Sequence, residues 1–165
     1  MTKRPTAQPL EPMDASGTAN ARSVWIGVMS RARRSDVEAL VPDDIASLDF
    51  EWLRRPQVGL VMVRGRAGGT GMVFNLGEMT VTRCSVRLAD GTVGHGYVQG
   101  RDHRHAEIAA KLDALLQNDH RREALLAGVI APLSAAENER RLDRSRKAAA
   151  TKVEFFTMVR GENLA

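Results

Sequence analysis

Between Gly100 and Glu107 the chain reads GRDHRHAE, which crowds two histidines, two arginines and two carboxylates into one short stretch. Three chemistries suit such a stretch. A metal site would use His103 and Glu107, four apart on one helical face, or His105 with ligands from elsewhere. The HEXXH arrangement is absent and a lone His-x-His is no ligand set, so no metal is expected. An anion site would use the helix start itself. Asp102 stands where an N-cap belongs, which makes His103, Arg104 and His105 the first turn. Arg101 and Arg104 then crowd a partial positive charge, at a cost of roughly 0.3–1 kcal/mol each. A bound phosphate or carboxylate would remove that conflict and take up free N–H groups. Asp102 competes for the same donors. The third reading is a capped helix with solvated imidazoles, in which His105 and Glu107 orient neighbouring side chains or bridge to another subunit.

A second stretch, RGRAGGTG from Arg64 to Gly71, clusters glycines that let backbone approach a ligand closely. Arg66, Gly68, Gly69 and Thr70 would form a phosphate cradle there. The stretch has neither the GK[ST] ending of a P-loop nor the GxGxxG of a dinucleotide site, so a plain turn stands beside that reading. Arg83 and Arg87 share one face of a strand, either as a solvated face or as a basic surface for a ligand or an acidic partner. Cys84 has no base among its neighbours and reads as a small buried residue. His95, between two glycines, offers polar lining and no more. Arg140, Arg141, Arg144, Arg146 and Lys147 are interleaved with Glu137, Glu139 and Asp143, without an aromatic platform. That describes a solvated or partner-facing helix better than a nucleic-acid surface.

The elements that must position these groups follow from periodicity. Residues 1–20, rich in Pro, Ala, Ser, Thr and Gly, read as a disordered tail ahead of a single domain over 21–165. Val24, Trp25, Val28, Met29 and Ala32 fall on one helical face. The sequence SDVE at Ser35 reads as a capping box opening a second helix, which Pro42 ends or kinks. Strands are expected near 49–55, 57–66, 78–89 and 92–99. Arg55-Pro56 would separate the first two, and the apolar run Val58–Val63 would be a buried strand. Asp90-Gly91 predicts a tight hairpin with positive φ at both positions. Ile108, Ala109, Leu112, Leu115 and Leu116 form a helical stripe. A further helix runs from Arg121 to Ile130 and ends at Pro132, and a capping box at Ser134 opens a last, mostly charged helix with Leu142 its one large apolar residue. The expected fold is therefore α+β: a mostly antiparallel sheet, flanking helices, and a C-terminal helix followed by an apolar arm.

Composition sets the outer bounds. The 165 residues suffice for one buried core, and 43% hydrophobic with 27% charged residues suits a globular chain. The single cysteine excludes an intramolecular disulfide. No apolar run is long enough to span a bilayer and the first residues have no apolar signal core, so a cytoplasmic location is expected. A net charge of +4 favours anionic partners without naming them. The segment VEFFTMVRG is strongly apolar yet follows a polar helix. Its Val153, Phe155, Phe156, Met158 and Arg160 are the expected partner interface, with a docking arm over about 134–165.

In order along the chain, GGTGMVFNLGEMTVTRCSVRLADGTVGHGYVQGRDHRHAE, DALLQ, APL and ATKVEFFTMVRG resemble the G subunit of the bacterial carbon–phosphorus lyase system. The likeness runs from about Gly59 to Glu162; His105 and Glu107 fall on its motif, and His95 and His103 do not. The resemblance implies a core complex with the H, I and J subunits. It also implies that, with H, I and the nucleotide-binding-cassette L subunit, the chain supports attack of an alkylphosphonate on the ribose of ATP. Adenine leaves, and ribose 1-alkylphosphonate 5-triphosphate forms. The nucleosidase-type chemistry is credited to I and the iron–sulfur radical step to J. This chain would then be a partner without catalytic residues or a cofactor of its own, ATP being a substrate of the complex. Two rivals come from other classes: a free-standing phosphate- or nucleotide-binding regulatory module, and a nucleic-acid binder.

Overall fold

A computed structural model describes residues 17–66 and 71–151. The described residues open with helix α1 (Gly17–Arg31), so Gly17–Asn20 of the expected tail are helical. Short helices α2 (Arg34–Leu40) and α3 (Asp43–Ala46) follow, and then strands β1 (Glu51–Arg66), β2 (Val73–Arg87) and β3 (Val93–Gln99). Helix α4 (His103–Leu115), helix α5 (Asp119–Leu125), a π-turn at Leu126–Ile130 and helix α6 (Ala131–Ala150) complete the described chain. The architecture is α+β, with an antiparallel sheet ordered β1-β2-β3.

One face of the sheet carries the core. Along β3, Gly94, Gly96 and Val98 are buried while His95, Tyr97 and Gln99 point outward, the period-two signature of a half-covered sheet. Helix α4 lies on the covered face at the closest possible approach. A Cβ added at Gly94 would stand 2.0 Å from the Ala110 carbonyl oxygen, and one at Gly96 would stand 2.0 Å from that of Ala106. Only hydrogen fits between strand and helix here. The helix answers with Ala106, Ala110 and Ala114 on this side, and Cys84 on β2 donates its S–H to the Ala106 carbonyl at 3.1 Å.

Asp113 of α4 is fully buried and collects the surrounding elements. Arg22 of α1 clamps both carboxylate oxygens, at 3.1 and 2.7 Å. Trp25 Nε1 donates to Oδ1 at 2.9 Å, and the His95 backbone N–H donates to Oδ2 at 2.8 Å. One side chain thus joins α1, β3 and α4. Trp25, Val28 and Met29 bury the remaining face of α1 over the expected stripe. Val24 departs from that stripe and stands 59% exposed, because the buried sector is narrower than the sequence periodicity implies.

Several local expectations are corrected. Among the described residues the sheet has three strands where four were expected: Arg55-Pro56 does not break β1 but sits in a register shift between Arg54 and Gln57, which lets a residue without an N–H remain in an edge strand. The run Val58–Val63 is a strand but not a buried one, since Val58, Leu60 and Met62 are 45%, 61% and 54% exposed. No helix among the described residues covers that half of β1. At the Asp90-Gly91 hairpin the loop has three residues between paired Leu88 and Thr92, and Gly91 alone has positive φ, at 85°. A Leu88–Gly91 turn with Gly91 left-handed needs no positive φ at Asp90, whose carboxylate instead accepts the Thr92 N–H at 2.8 Å. Ser35 caps nothing: α2 starts at Arg34 behind Arg33, and the Ser35 hydroxyl bonds the Asp36 carboxylate. Ser134 lies inside α6, because the π-turn before Ala131 absorbs Pro132 near the helix start and the chain stays helical through it.

Because Asp113 is fully buried and answers Arg22, Trp25 and the His95 N–H together, Asp113→Ala is expected to lower unfolding stability by about 3–5 kcal/mol. The midpoint and slope of urea unfolding measure it. A loss under about 1 kcal/mol would mean the junction is held by packing alone.

Candidate functional site

The start of α4 is built as its residues demand. Asp102 has extended backbone, and its Oδ1 accepts the His105 N–H at 3.0 Å, so the expected N-cap is present. Its other oxygen lies 3.7 Å from Arg34, which also pairs with Glu38. Arg104 is committed to Glu107 at 2.7 Å. The same Glu107 oxygen meets the buried Lys111 Nζ at 3.0 Å. Lys111 in turn donates to the Ala46 carbonyl at 3.0 Å and stands 4.5 Å above the Phe50 ring. Glu107 is therefore the centre of a charge chain that ties α4 to the α3–β1 connection. Arg101 and His103 are exposed, and Arg101 has no hydrogen-bond or ion-pair partner among the described residues.

His105 corrects the expectation of solvated imidazoles. It is 3% exposed, and its Nε2 has no hydrogen-bond partner. Burial pulls its pKa below the ordinary 6.5, and the Asp102 carboxylate and Met29 backbone oppose that shift only in part. Cys84 is likewise withdrawn from chemistry: burial pushes its thiol up to about 12, so it stays protonated at neutral pH.

The uncovered face of the sheet gathers the remaining functional groups. Rows across the strands place Gln57, Arg83 and Tyr97 side by side, then Arg54, Ser85 and His95. Arg87 pairs with Glu51 at 3.4 Å in the last row. Ser85 Oγ and His95 Nδ1 are 2.9 Å apart, a hydroxyl–imidazole contact that sequence separation hides and strand register reveals. It is not a catalytic triad. Asp113 engages the backbone N–H of His95 and not the ring, so no carboxylate fixes the imidazole. Arg54 and Arg83 have no ion-pair partner among the described residues, which leaves a cationic, polar, water-facing surface suited to an anion.

The expected cradle is only partly visible: Arg66 donates to the Gly71 carbonyl at 3.0 Å, while Gly68, Gly69 and Thr70 lie outside the described residues. So do Val153, Phe155, Phe156, Met158 and Arg160. The described residues hold no cluster of three or more His, Cys, Asp or Glu able to bind a metal ion, and no helix among them is long and apolar enough to cross a membrane.

The buried imidazole sets a pH dependence. His105 takes a proton more readily in the unfolded chain, where its pKa is about 6.5, than in the fold. Stability is therefore full above about pH 6.5 and falls as pH drops toward the lower folded value. His105→Gln is expected to flatten the decline of urea midpoints below about pH 6.5. Parallel curves for the two proteins would assign the acid sensitivity elsewhere.

Comparison with known proteins gives this geometry its context. The family described as phosphonate metabolism protein PhnG matches residues 20–161. The chain is also 41% identical to a protein of Rhizobium meliloti (strain 1021), alpha-D-ribose 1-methylphosphonate 5-triphosphate synthase subunit PhnG. That alignment covers 92% of this chain and 99% of the relative. The matched span takes in α4 with its cap, the charge chain around Glu107 and both faces of the sheet, and by it the chain belongs to the PhnG family of phosphonate metabolism proteins.

Proposed function

We propose that this chain is a subunit of the cytoplasmic complex that activates alkylphosphonates for carbon–phosphorus bond cleavage. With the H, I and L subunits it supports displacement of adenine from ATP by an alkylphosphonate, giving ribose 1-alkylphosphonate 5-triphosphate. With H, I and J it belongs to the core assembly, whose iron–sulfur radical step lies on J. The near full-length match to a subunit of such a synthase carries the reading. The site agrees with a supporting role. Its one hydroxyl–imidazole contact lacks an orienting acid, its thiol is protonated, and Arg104 at the helix start is committed to Glu107.

What the chain contributes is charge and shape. Arg83 and Arg54 on the open sheet face, with Tyr97 and Gln57 beside them, suit the oxygen-rich triphosphate or phosphonate when a neighbouring subunit closes over them. Arg101 at the start of α4 is a second exposed cation for the same role. ATP enters as a substrate of the assembly, and this chain holds no cofactor of its own.

Reconstitution tests the reading. Adenine release from ATP and methylphosphonate by the H, I and L subunits should require this chain. Release at the same rate without it would overturn the proposal. Arg83→Ala in the intact complex should raise KM for ATP or methylphosphonate about tenfold, the worth of one charge-assisted hydrogen bond, with the complex still assembled. An unchanged KM for both substrates would restrict the sheet face to subunit contact.

A further inference from the structure

The uncovered face of the sheet sets out donors without acids. Strand register places Arg54, Ser85 and His95 in one row and Gln57, Arg83 and Tyr97 in the next. Each of these side chains can donate a hydrogen bond, and none is a carboxylate. Glu51, in the adjoining row, is paired with Arg87 at 3.4 Å. Asp113 lies fully buried and gives its oxygens to Arg22, Trp25 and the His95 backbone N–H. Arg54 and Arg83 have no ion-pair partner among the described residues.

The Ser85–His95 contact keeps a donor unspent whichever way its proton runs. Oγ and Nδ1 are 2.9 Å apart. If the hydroxyl donates to Nδ1, the ring carries its proton on Nε2 and can donate from there. If Nδ1–H donates, the hydroxyl proton is free to turn to another acceptor. An anion is met by a donor in either case. The row is also held in place, because the His95 backbone N–H is tied to Asp113 at 2.8 Å and so to the junction of β3 with α4.

Extent selects the anion. Rows two residues apart lie about 7 Å from each other and β1 lies about 10 Å from β3, so the donors cover roughly 7 by 10 Å. The oxygens of a single phosphonate do not reach across that area. A ligand so small also needs a concave site, and a sheet face on which Tyr97 is 38% exposed does not supply one. A chain of linked phosphoryl groups can lie over both rows and meet several donors at once. We infer that these two rows seat the triphosphate that ATP and the ribosyl product have in common, with the phosphonate held elsewhere in the complex; this rests on the function proposed above. Arg54 and Arg83 supply the charge, and Ser85, His95, Gln57 and Tyr97 supply the further donors beside them.

The test uses the complex reconstituted with the H, I and L subunits and follows adenine release, with inorganic tripolyphosphate as competitor. Arg54→Ala and His95→Ala should each raise KM for ATP about tenfold while kcat and KM for methylphosphonate stay unchanged. Inhibition by tripolyphosphate should weaken by the same factor, and Arg54→Lys should recover part of the loss. A second measurement needs no variant. Tripolyphosphate should shield Arg54 and Arg83 of the wild-type complex from modification by phenylglyoxal, and methylphosphonate at equal concentration should not. A rise confined to the methylphosphonate KM, an unchanged KM for ATP in fully assembled variants, or equal shielding by the two anions overturns the triphosphate seat and leaves the subunit role standing. Adenine release that does not need this chain removes the functional proposal and the seat with it.

Discussion

A single buried carboxylate organises this fold. Asp113 is fully enclosed, and an enclosed carboxylate persists only when its charge and lone pairs are answered. Arg22 answers the charge, while the Trp25 indole and the His95 N–H answer the lone pairs. These partners come from a helix at the start of the chain and a strand in its middle. Satisfying Asp113 therefore fixes α1, β3 and α4 relative to one another. The glycines of β3 make the arrangement possible, since any side chain at Gly94 or Gly96 would push α4 away and carry the Asp113 carboxylate out of reach of the strand. Packing distance and polar satisfaction are here one constraint.

Features governed by neighbours in sequence were legible in the sequence. The Asp102 cap, the stripe of α4 and the hairpin glycine Gly91 each depend on a few consecutive residues, and each is where local chemistry puts it. Features governed by what lies opposite were not. Asp113 sits in a helix like any solvated carboxylate until strand and helix close around it. Val58–Val63 has the composition of a buried strand, but burial depends on a covering layer, and the covering helix sits over β3 and β2 instead. Ser35 and Ser134 matched a capping pattern, yet a cap needs the chain to enter from outside the helix, and at Ser134 the helix has already begun. The Ser85–His95 contact spans ten residues and is visible only once the register of β2 and β3 is known.

The charged cluster that first draws the eye, GRDHRHAE, is mostly architecture. His105 is turned inward, and Glu107 spends its carboxylate on Arg104 and Lys111. Lys111 itself is buried by its contact with Phe50 and with the end of α3. A motif rich in catalytic residue types thus works as a clasp between α4 and the chain leading into β1. The clasp needs no reaction to explain it, because losing Glu107 would leave the buried Lys111 charge without its counterpart.

The open sheet face is where assembly can change chemistry. Gln57, Arg83 and Tyr97 share one row on it and Arg54 stands in the next, all facing solvent. A subunit laid over that face would replace the water around Arg54, Arg83 and Tyr97 with a wall. Excluding water strengthens every contact between those guanidinium groups and an anion. Assembly would then turn a solvated sheet face into an anion-binding one, which is a physical reason for a chain without its own reactive centre to matter to the chemistry of a complex.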